Sequence, residues 1–189
     1  MRITKQQTAG NRERVVKEAA RLFRERGFEG VGVAELMAAA GLTHGGFYNH
    51  FGSKDELEGA ACARVFEISV AKVAAIANIA DEAEREAAFN AYRAHYVSRE
   101  ARDASGASCP MVAFAGDMSR QNEAVRGAYA AGLAGYLEAF TKASGKPRHE
   151  AMRIFAGLVG ALTLARSVAA TDAELSDEII RVMGSCETK

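Results

Sequence analysis

The chain contains little proline, which breaks helices, and little cysteine, which cross-links small folds. Its 189 residues include two prolines, Pro110 and Pro147, and no tryptophan. Ala, Leu, Glu and Arg, which lose little side-chain freedom in a helix, are plentiful, so the composition favours an all-α fold. The three cysteines are an odd number without metal-ligand spacing. They argue against a disulfide framework or a metal site and predict a reducing, cytoplasmic location.

Long hydrophobic runs are also missing. No stretch approaches the roughly 18 consecutive apolar residues that are needed to span a bilayer. The first seven residues, MRITKQQ, lack the apolar core of a secretory signal. We therefore expect no membrane association.

The sequence lacks the common catalytic motifs. It has no Gly-rich phosphate loop, no Gly-x-Ser-x-Gly, no His-Glu-x-x-His and no close cysteine pair. His44 and His50 are six residues apart, so they do not share a helix face as an i, i+4 metal pair would. We expect a protein that is not an enzyme and that has no cofactor. The alternative is a helical enzyme that uses His95 or Asp117, which turnover assays would reveal.

Charge is unevenly distributed although the net charge is zero. Residues 1–54 contain nine Lys or Arg against five Glu, whereas the remaining 135 residues contain fifteen against nineteen Asp or Glu. A basic front suits a chain that presents one end to phosphate. A solvated helix face gives the same imbalance, so the charge distribution does not decide the function.

Two glycine-terminated helices are predicted near the N-terminus. Apolar residues at i, i+3, i+4 and i+7 predict a helix over 11–26, which Gly27 ends. A shorter helix is predicted over 33–40, with Gly41 as its stop. The helix over 33–40 and a third helix over 43–51 are two short helices around a glycine-containing turn, which is typical of a helix-turn-helix.

The third predicted helix covers 43–51, with Thr43 as its N-cap. Ser53 is predicted to cap a fourth helix, with Glu56 at the capping-box position. Further helices are predicted near 54–78, 82–103, 109–119, 122–144, 148–170 and 173–184, which makes about nine in all. The segment 154–165 is apolar on nearly every side, so we expect it to pack against its own core and a partner subunit. The alternative is a central helix in a monomer.

The stretch 41–54 is the most informative part of the sequence. Leu42, Phe47 and Phe51 are spaced to anchor the third helix in a core. Gly45 and Gly46 are poor helix formers, and close approach of the backbone to DNA would be a reason for them. The alternative is an ordinary frayed loop. The small or polar residues of this helix, which could face DNA, are Thr43, His44, Gly46, Tyr48, Asn49 and His50.

Residues 11–58 resemble the TetR family of bacterial transcriptional repressors. The resemblance rests on Gly27-Phe28-Glu29-Gly30, on Ala39-Ala40-Gly41-Leu42 and on the run 47–54, Phe-Tyr-Asn-His-Phe-Gly-Ser-Lys. It implies that Thr43, His44 and Gly46 face the major groove, that Tyr48 and His50 contact phosphates or bases, that Asn49 contributes to sequence choice and that Lys54 binds phosphate. The sequence departs from the family at Val31-Gly32, where many members have hydroxyl residues that cap the second helix and contact phosphate.

The resemblance also implies a second domain. It predicts a helix-turn-helix domain at 1–53 and a helical ligand-binding and dimerisation domain at 54–189. Candidate cavity residues are Phe66, Phe89, Tyr92, His95, Tyr96, Met111, Phe114, Met118, Tyr129, Tyr136 and Phe140, with Asn90, His95 and Asp117 as polar candidates. Such a stripe is more often plain core. The interface candidates are Leu158, Leu162, Ala165, Ile179, Ile180 and Met183.

Cys109 precedes a helix that begins at Pro110. A helix N-terminus can lower the pKa of a thiol, so Cys109 is a candidate thiol sensor, although simple packing is the commoner role of cysteine. Cys62 is expected in the core and Cys186 on a C-terminal tail.

Together these features predict a homodimeric repressor with two partners, a near-palindromic operator and a small effector. Helix 43–51 reads the DNA, and a small, largely apolar ligand releases the protein from it. The alternative is a DNA-binding activator or architectural protein without a ligand.

Overall fold

The computed structural model describes residues 5–107 and 109–184, and this part of the chain is helical without any strand. The expected all-α fold is confirmed, with nine α-helices among these residues. They are α1 (Lys5–Arg26), α2 (Val33–Ala39), α3 (Lys54–Ala77), α4 (Glu82–Tyr96), α5 (Arg99–Asp103), α6 (Pro110–Phe114), α7 (Glu123–Ser144), α8 (Arg148–Val168) and α9 (Ala173–Gly184). Three 3₁₀ segments cover His44–Asn49, Ser105–Ala107 and Ala115–Arg120. Cys186 lies outside the described residues.

The helix ends follow from local chemistry. Gly27 and Gly41 have the predicted left-handed backbone, with φ of 75° and 70°. The expected helix 82–103 is interrupted, because the Ser98 hydroxyl accepts a hydrogen bond from the Ala101 N–H and starts a new helix, α5. The expected helix 109–119 remains α-helical only to Phe114 and continues as 3₁₀.

The two longest helices of the second half, α3 and α7, pack directly against each other. Phe66 of α3 is buried over Gly132 of α7, where a Cβ would lie 2.2 Å from the Phe66 Cγ. The other side of the Phe66 ring meets Tyr129 edge-on, with ring centroids 5.3 Å apart. The absence of a side chain at residue 132 thus sets how closely these helices approach.

An aromatic contact joins the N-terminal helices to the rest of the fold. Phe28, just after α1, packs on Phe23 at a centroid distance of 5.0 Å and on Phe114 of α6 at 4.8 Å. One hydrophobic cluster consequently runs through both predicted domains. The boundary between residues 53 and 54 remains a prediction.

Helix α8 bears on the expectation of no membrane span and corrects the expected subunit interface. Among the described helices it alone is long and apolar enough to cross a membrane, which the sequence reading had not anticipated. Length and composition are the only grounds for that, since a third of the stretch is buried inside the fold and a core helix passes the same test. Leu158, Leu162 and Ala165, expected at a subunit interface, are instead buried within the chain itself.

The apolar side chains that α8 and α9 expose are different ones. Ile180 is also buried, and Ile179 and Met183 are half-buried against the core. Helical spacing identifies apolar positions, but it does not tell which of two apolar faces meets the chain's own core. The large apolar residues left exposed on the two helices are Met152, Leu164, Leu175 and Val182.

Gly132→Ala is expected to destabilise the protein by about 1–3 kcal/mol, because the added methyl overlaps Phe66 and forces α3 and α7 apart. Gly127→Ala in the same helix is the control. A Cβ there meets nothing within 4 Å, so helix propensity should make this variant more stable by up to about 1 kcal/mol. Chemical denaturation of both variants measures the difference. Equal effects at the two sites would disprove the close contact.

Candidate functional site

Most residues of the segment after Gly41 are exposed at the surface of the N-terminal region. The segment is a 3₁₀ helix over His44–Asn49 rather than the expected α-helix over 43–51, and Thr43 makes no side-chain cap. Gly45 and Gly46 explain the difference, because two successive glycines disfavour regular α-helix. We call residues 43–50 the recognition segment.

Two buried rings hold the recognition segment in place. Phe47 and Phe51 are buried, as expected, and stack with their ring centroids 5.5 Å apart. Leu42 is half-buried beside them. Because these side chains point inwards, the remaining positions of the segment point outwards.

The outward positions are those that the sequence assigned to DNA. The Tyr48 side chain is 76% exposed and packs only edge-on against Phe47. Thr43, His44 and Asn49 are exposed, and Gly46 is half-buried. His50 differs from this pattern, since it is half-buried and its Nδ1 is buried without a hydrogen-bond partner among the described residues.

Lys54 stands at the start of α3 and is tied to the domain. Its Nζ donates to the Phe28 carbonyl at 2.9 Å and lies 3.2 Å from Glu58 Oε1. Since an ammonium group has three N–H donors, these contacts leave one for a phosphate. Just before it, the Ser53 hydroxyl accepts the Glu56 N–H at 3.2 Å, which confirms that Ser53 is the N-cap.

Glu58 is a buried carboxylate that links α3 to the N-terminus of α7. Its Oε2 accepts a hydrogen bond of 2.9 Å from the side-chain amide of Asn122, which caps α7, while Oε1 faces Lys54. Burial raises the pKa of Glu58, against the opposing effect of Lys54. Sequence analysis missed this residue, because helical spacing alone gave no sign of a buried charge.

Arg14 is a second residue that the sequence reading did not select. It is exposed on α1, and its Nη1 lies 3.9 Å from where a Cβ on Gly41 would be. It therefore places a cation beside the recognition segment. At α2 the structure agrees with the sequence, because Gly32 is the N-cap and provides no side-chain hydrogen bond.

The second half of the chain contains a cavity of about 290 Å³, at the small end of ligand pockets. It opens between α3, α4, α7, α8 and the segment from α5 to α6. Four of the cavity candidates line it, namely Tyr92, His95, Tyr96 and Tyr136, and so does Cys109, the candidate thiol sensor. The lining residues that sequence analysis missed are Ser69, Lys72, Glu100, Ala101, Ala104, Ala107 and Leu162.

Most of the other aromatic and methionine candidates are plain core. Phe66 and Tyr129 pack on each other, Phe89 packs on Phe140, and Phe114 packs on Phe28. Met111 is buried and Met118 half-buried in the same core, away from the cavity. Helical spacing shows that a side chain points inwards, but it does not show whether it meets another side chain or a void.

The three polar candidates for the cavity lie in three different places. His95 stands at the cavity rim, with its Nδ1 4.0 Å from Glu100. Asn90 lines a separate groove together with Phe89. Asp117 forms an ion pair with Arg120 near Gly27 and does not line the cavity.

Cys109 lies in the cavity wall at the N-cap of α6. The helix N-terminus was expected to lower the pKa of its thiol. The structure gives the opposite direction, because burial raises the pKa of Cys109 and outweighs the Tyr96 hydroxyl and the N–H groups of Val112 and Met111, which lower it. A neutral thiol is a poor nucleophile, so this environment favours packing over sensing. Cys62 is fully buried, as expected.

Comparison with known proteins identifies the N-terminal region. Residues 15–61 match the family of bacterial regulatory proteins described as the tetR family. A transcriptional repressor of Mycobacterium sp. (strain GP1), DhaR, is 38% identical over 55 residues, which are 29% of this chain and 28% of the relative. The match thus spans less than a third of that relative's length.

Solved structures extend the similarity to the whole fold. The reduced form of Escherichia coli NemR superposes with a TM-score of 0.75 at 22% identity, over 92% of this chain and 95% of NemR. AibR, solved with isovaleryl coenzyme A and operator DNA, superposes with a TM-score of 0.62 at 18% identity, over 92% and 96% of the two chains. These similarities show a common fold.

Glu58→Gln should change stability in a pH-dependent way. Because the folded-state pKa of Glu58 is raised above its ordinary value of 4.5, its contribution to stability is present below pH 4.5 and is lost as the pH rises through the folded-state pKa. The stability of the variant relative to wild type should therefore increase with pH, from 4.5 upwards. Urea denaturation across this range measures it.

Glu138→Gln is the control, and its pH dependence should be weaker and opposite in sign. Glu138 is exposed on α7, and hydrogen bonding to Lys142 lowers its pKa. A free-energy difference between Glu58→Gln and wild type that stayed constant with pH would contradict the buried position of Glu58.

Proposed function

We propose that this chain, whose residues 15–61 match the tetR family of bacterial regulatory proteins, is a cytoplasmic, homodimeric repressor of that family. It binds a near-palindromic operator and is released from it by a small, largely apolar ligand. The proposal of DNA binding rests on the burial pattern of the recognition segment. Its ring Phe47 is buried, whereas most of its polar side chains are exposed. The fold and the relatives are those of DNA-binding regulators rather than enzymes.

The two glycines of the recognition segment support its approach to DNA. Neither Gly45 nor Gly46 has a positive φ, and a Cβ at either position would meet no atom closer than 3.7 Å. The fold therefore does not require glycine at these positions. Close contact of the backbone with a DNA groove does, because a side chain there would hold the two surfaces apart.

The DNA contacts divide by the chemistry of the exposed groups. Thr43, His44 and Gly46 face the major groove, and Asn49 contributes to sequence choice. Tyr48 and the remaining N–H of Lys54 bind phosphates, with His50 beside them. Arg14 adds a further positive charge at the edge of this surface.

The cavity supplies the effector site, and α6 connects it to the DNA-binding half. Cys109, at the start of α6, lines the cavity, while Phe114, at its end, packs on Phe28. Between α5 and α6, Gly106 lies so close to Glu25 of α1 that a Cβ would be 2.3 Å from the carboxylate. A ligand that moves this wall therefore moves α1 as well as α3.

Release follows from geometry in this mechanism. The two recognition segments of a dimer must fit successive major grooves, about 34–36 Å apart. A shift of α1 and α3 changes that separation. The relative AibR, described in complex with an acyl coenzyme A and operator DNA, supports control by a small molecule. The alternative without a ligand predicts a DNA complex that no small molecule dissociates.

The subunit interface is proposed on the exposed side of α8 and α9. Met152, Leu164, Leu175 and Val182 are large apolar side chains that are between 41% and 59% exposed. Burying such side chains against a second copy is favourable, by about 25 cal/mol per Å² of apolar surface. These residues replace Leu158, Leu162 and Ala165 as interface candidates.

Tyr48→Ala is expected to weaken operator binding at least tenfold while leaving the unfolding temperature unchanged, because the side chain is exposed. Lys54→Ala should weaken binding to every sequence and reduce the salt slope by about one. Lys142→Ala removes an equal charge from α7 and is the control. Fluorescence anisotropy with promoter DNA and a random duplex, at two salt concentrations, measures all three. Unchanged binding in both variants would refute the recognition segment.

Leu164→Glu should convert the dimer to monomer, because it places a charge in the apolar interface. Ile68→Glu, which changes an exposed apolar residue of α3, should leave the dimer intact. Sedimentation velocity gives the mass of each variant. If Leu164→Glu remained dimeric, the interface would lie elsewhere.

A further inference from the structure

The cavity contains more hydrogen-bond donors than it can satisfy. Tyr96 lines the cavity and is only 6% exposed. Its hydroxyl makes no hydrogen bond of normal geometry in the described part of the chain, and the polar group beside it is the Cys109 thiol, which is a weak hydrogen-bonding group. Buried hydroxyls are normally paired, because leaving one unpaired is unfavourable. The Tyr96 hydroxyl is therefore available to a molecule that enters the cavity.

A second donor comes from the Tyr92 and Tyr136 pair. Their hydroxyl oxygens are 2.5 Å apart, so one proton lies between them. Two hydroxyls have two protons, and the second is free to donate elsewhere. Burial raises the pKa of Tyr92 to about 12 and that of Tyr96 well above its usual value, so both remain protonated donors at neutral pH.

Apart from the Cys109 thiol and His95 at the rim, the uncharged remainder of the lining is apolar or already hydrogen-bonded. Ala101, Ala104, Ala107 and Leu162 form an apolar wall. The Ser69 hydroxyl donates its proton to the Val65 carbonyl. The cavity interior thus offers donors on an apolar background.

The ionised groups lie at the edge of the cavity. Lys72 and Glu100 are exposed at its rim, with opposite charges. Arg166 is half-buried and does not line the cavity, and its guanidinium donates to the carbonyls of Ala101 and Arg102 at 2.5 and 2.9 Å. A ligand anion in the interior would lose its hydration without forming an ion pair there.

We propose that the effector is a small neutral carbonyl compound with an apolar body, whose oxygen accepts a hydrogen bond from the Tyr96 hydroxyl. The assignment rests on the proposed function, in which this cavity is the effector site. The proposal predicts that affinity depends on the polar group of the ligand. An apolar analogue binds more weakly because the Tyr96 hydroxyl then has no acceptor, and an anion binds more weakly because it loses its hydration. The small volume restricts the body to about the size of one ring.

Four compounds with a similar phenyl body test the proposal, namely acetophenone, ethylbenzene, 1-phenylethylamine and phenylacetate. Isothermal titration calorimetry with the full chain, free of DNA, gives each affinity. Acetophenone should bind about tenfold more tightly than ethylbenzene, and more tightly than either charged compound.

Tyr96→Phe removes one oxygen and keeps the ring. It should abolish the preference for acetophenone over ethylbenzene and leave the affinity for ethylbenzene unchanged. Tyr129→Phe is the control, because this tyrosine packs on Phe66 outside the cavity and the preference should persist. Thermal unfolding of both variants verifies that they are folded.

Three results would overturn the proposal. They are no measurable binding of acetophenone, a preference that survives in Tyr96→Phe, or tighter binding of phenylacetate that Lys72→Gln abolishes. Adding the same compounds to the DNA complex tests the proposed function separately. If acetophenone bound through Tyr96 but did not dissociate the DNA complex, the proposed release of the operator by a ligand would be wrong. If ethylbenzene alone dissociated the complex, the assignment of the effector as a carbonyl compound would be wrong.

Discussion

The arrangement of this protein depends on the contacts of Phe28. Its ring packs between Phe23 of α1 and Phe114 of α6, and its carbonyl accepts a hydrogen bond from the Lys54 ammonium at the start of α3. One residue thus fixes the N-terminal helices relative to the rest of the chain through both its side chain and its backbone. The recognition segment is held in turn through Phe47 and Phe51, which belong to the same hydrophobic cluster.

The contact between Phe28 and Phe114 connects the wall of the cavity to the N-terminal helices through α6. The helix α6 has five residues, with a cavity-lining residue just before it and the partner of Phe28 at its end. A helix this short has little stability of its own and keeps its position through its neighbours. Displacement of one end is therefore transmitted to the other, over a single turn of helix.

Sequence patterns predicted the parts of the structure that depend on local chemistry. The glycine stops at residues 27 and 41, the Ser53 cap and the burial of Phe47 and Phe51 follow from backbone freedom, hydrogen bonding and apolar spacing. The recognition segment is 3₁₀ rather than the predicted α-helix, because apolar spacing allows either form and the two successive glycines disfavour the α-helix.

The remaining errors concern what surrounds a residue. Leu158 and Leu164 are both apolar residues of α8, yet one is buried and the other exposed. Phe66 and Tyr96 both point inwards, yet one meets Tyr129 and the other a cavity. For Cys109, the sequence showed the helix N-terminus but not the burial that outweighs it. Tertiary packing decides each case, and no local pattern encodes it.

The attachment of α5 differs in kind from that of the long helices. This five-residue helix has no buried residue. It is held by Arg99 and Arg102, which both bind Asp177 of α9, and by Arg166 of α8, which donates to its carbonyls. Salt screens such ionic contacts, whereas the packing of α3 on α7 is apolar. The part of the cavity wall that α5 forms is therefore the part whose position depends on ionic strength.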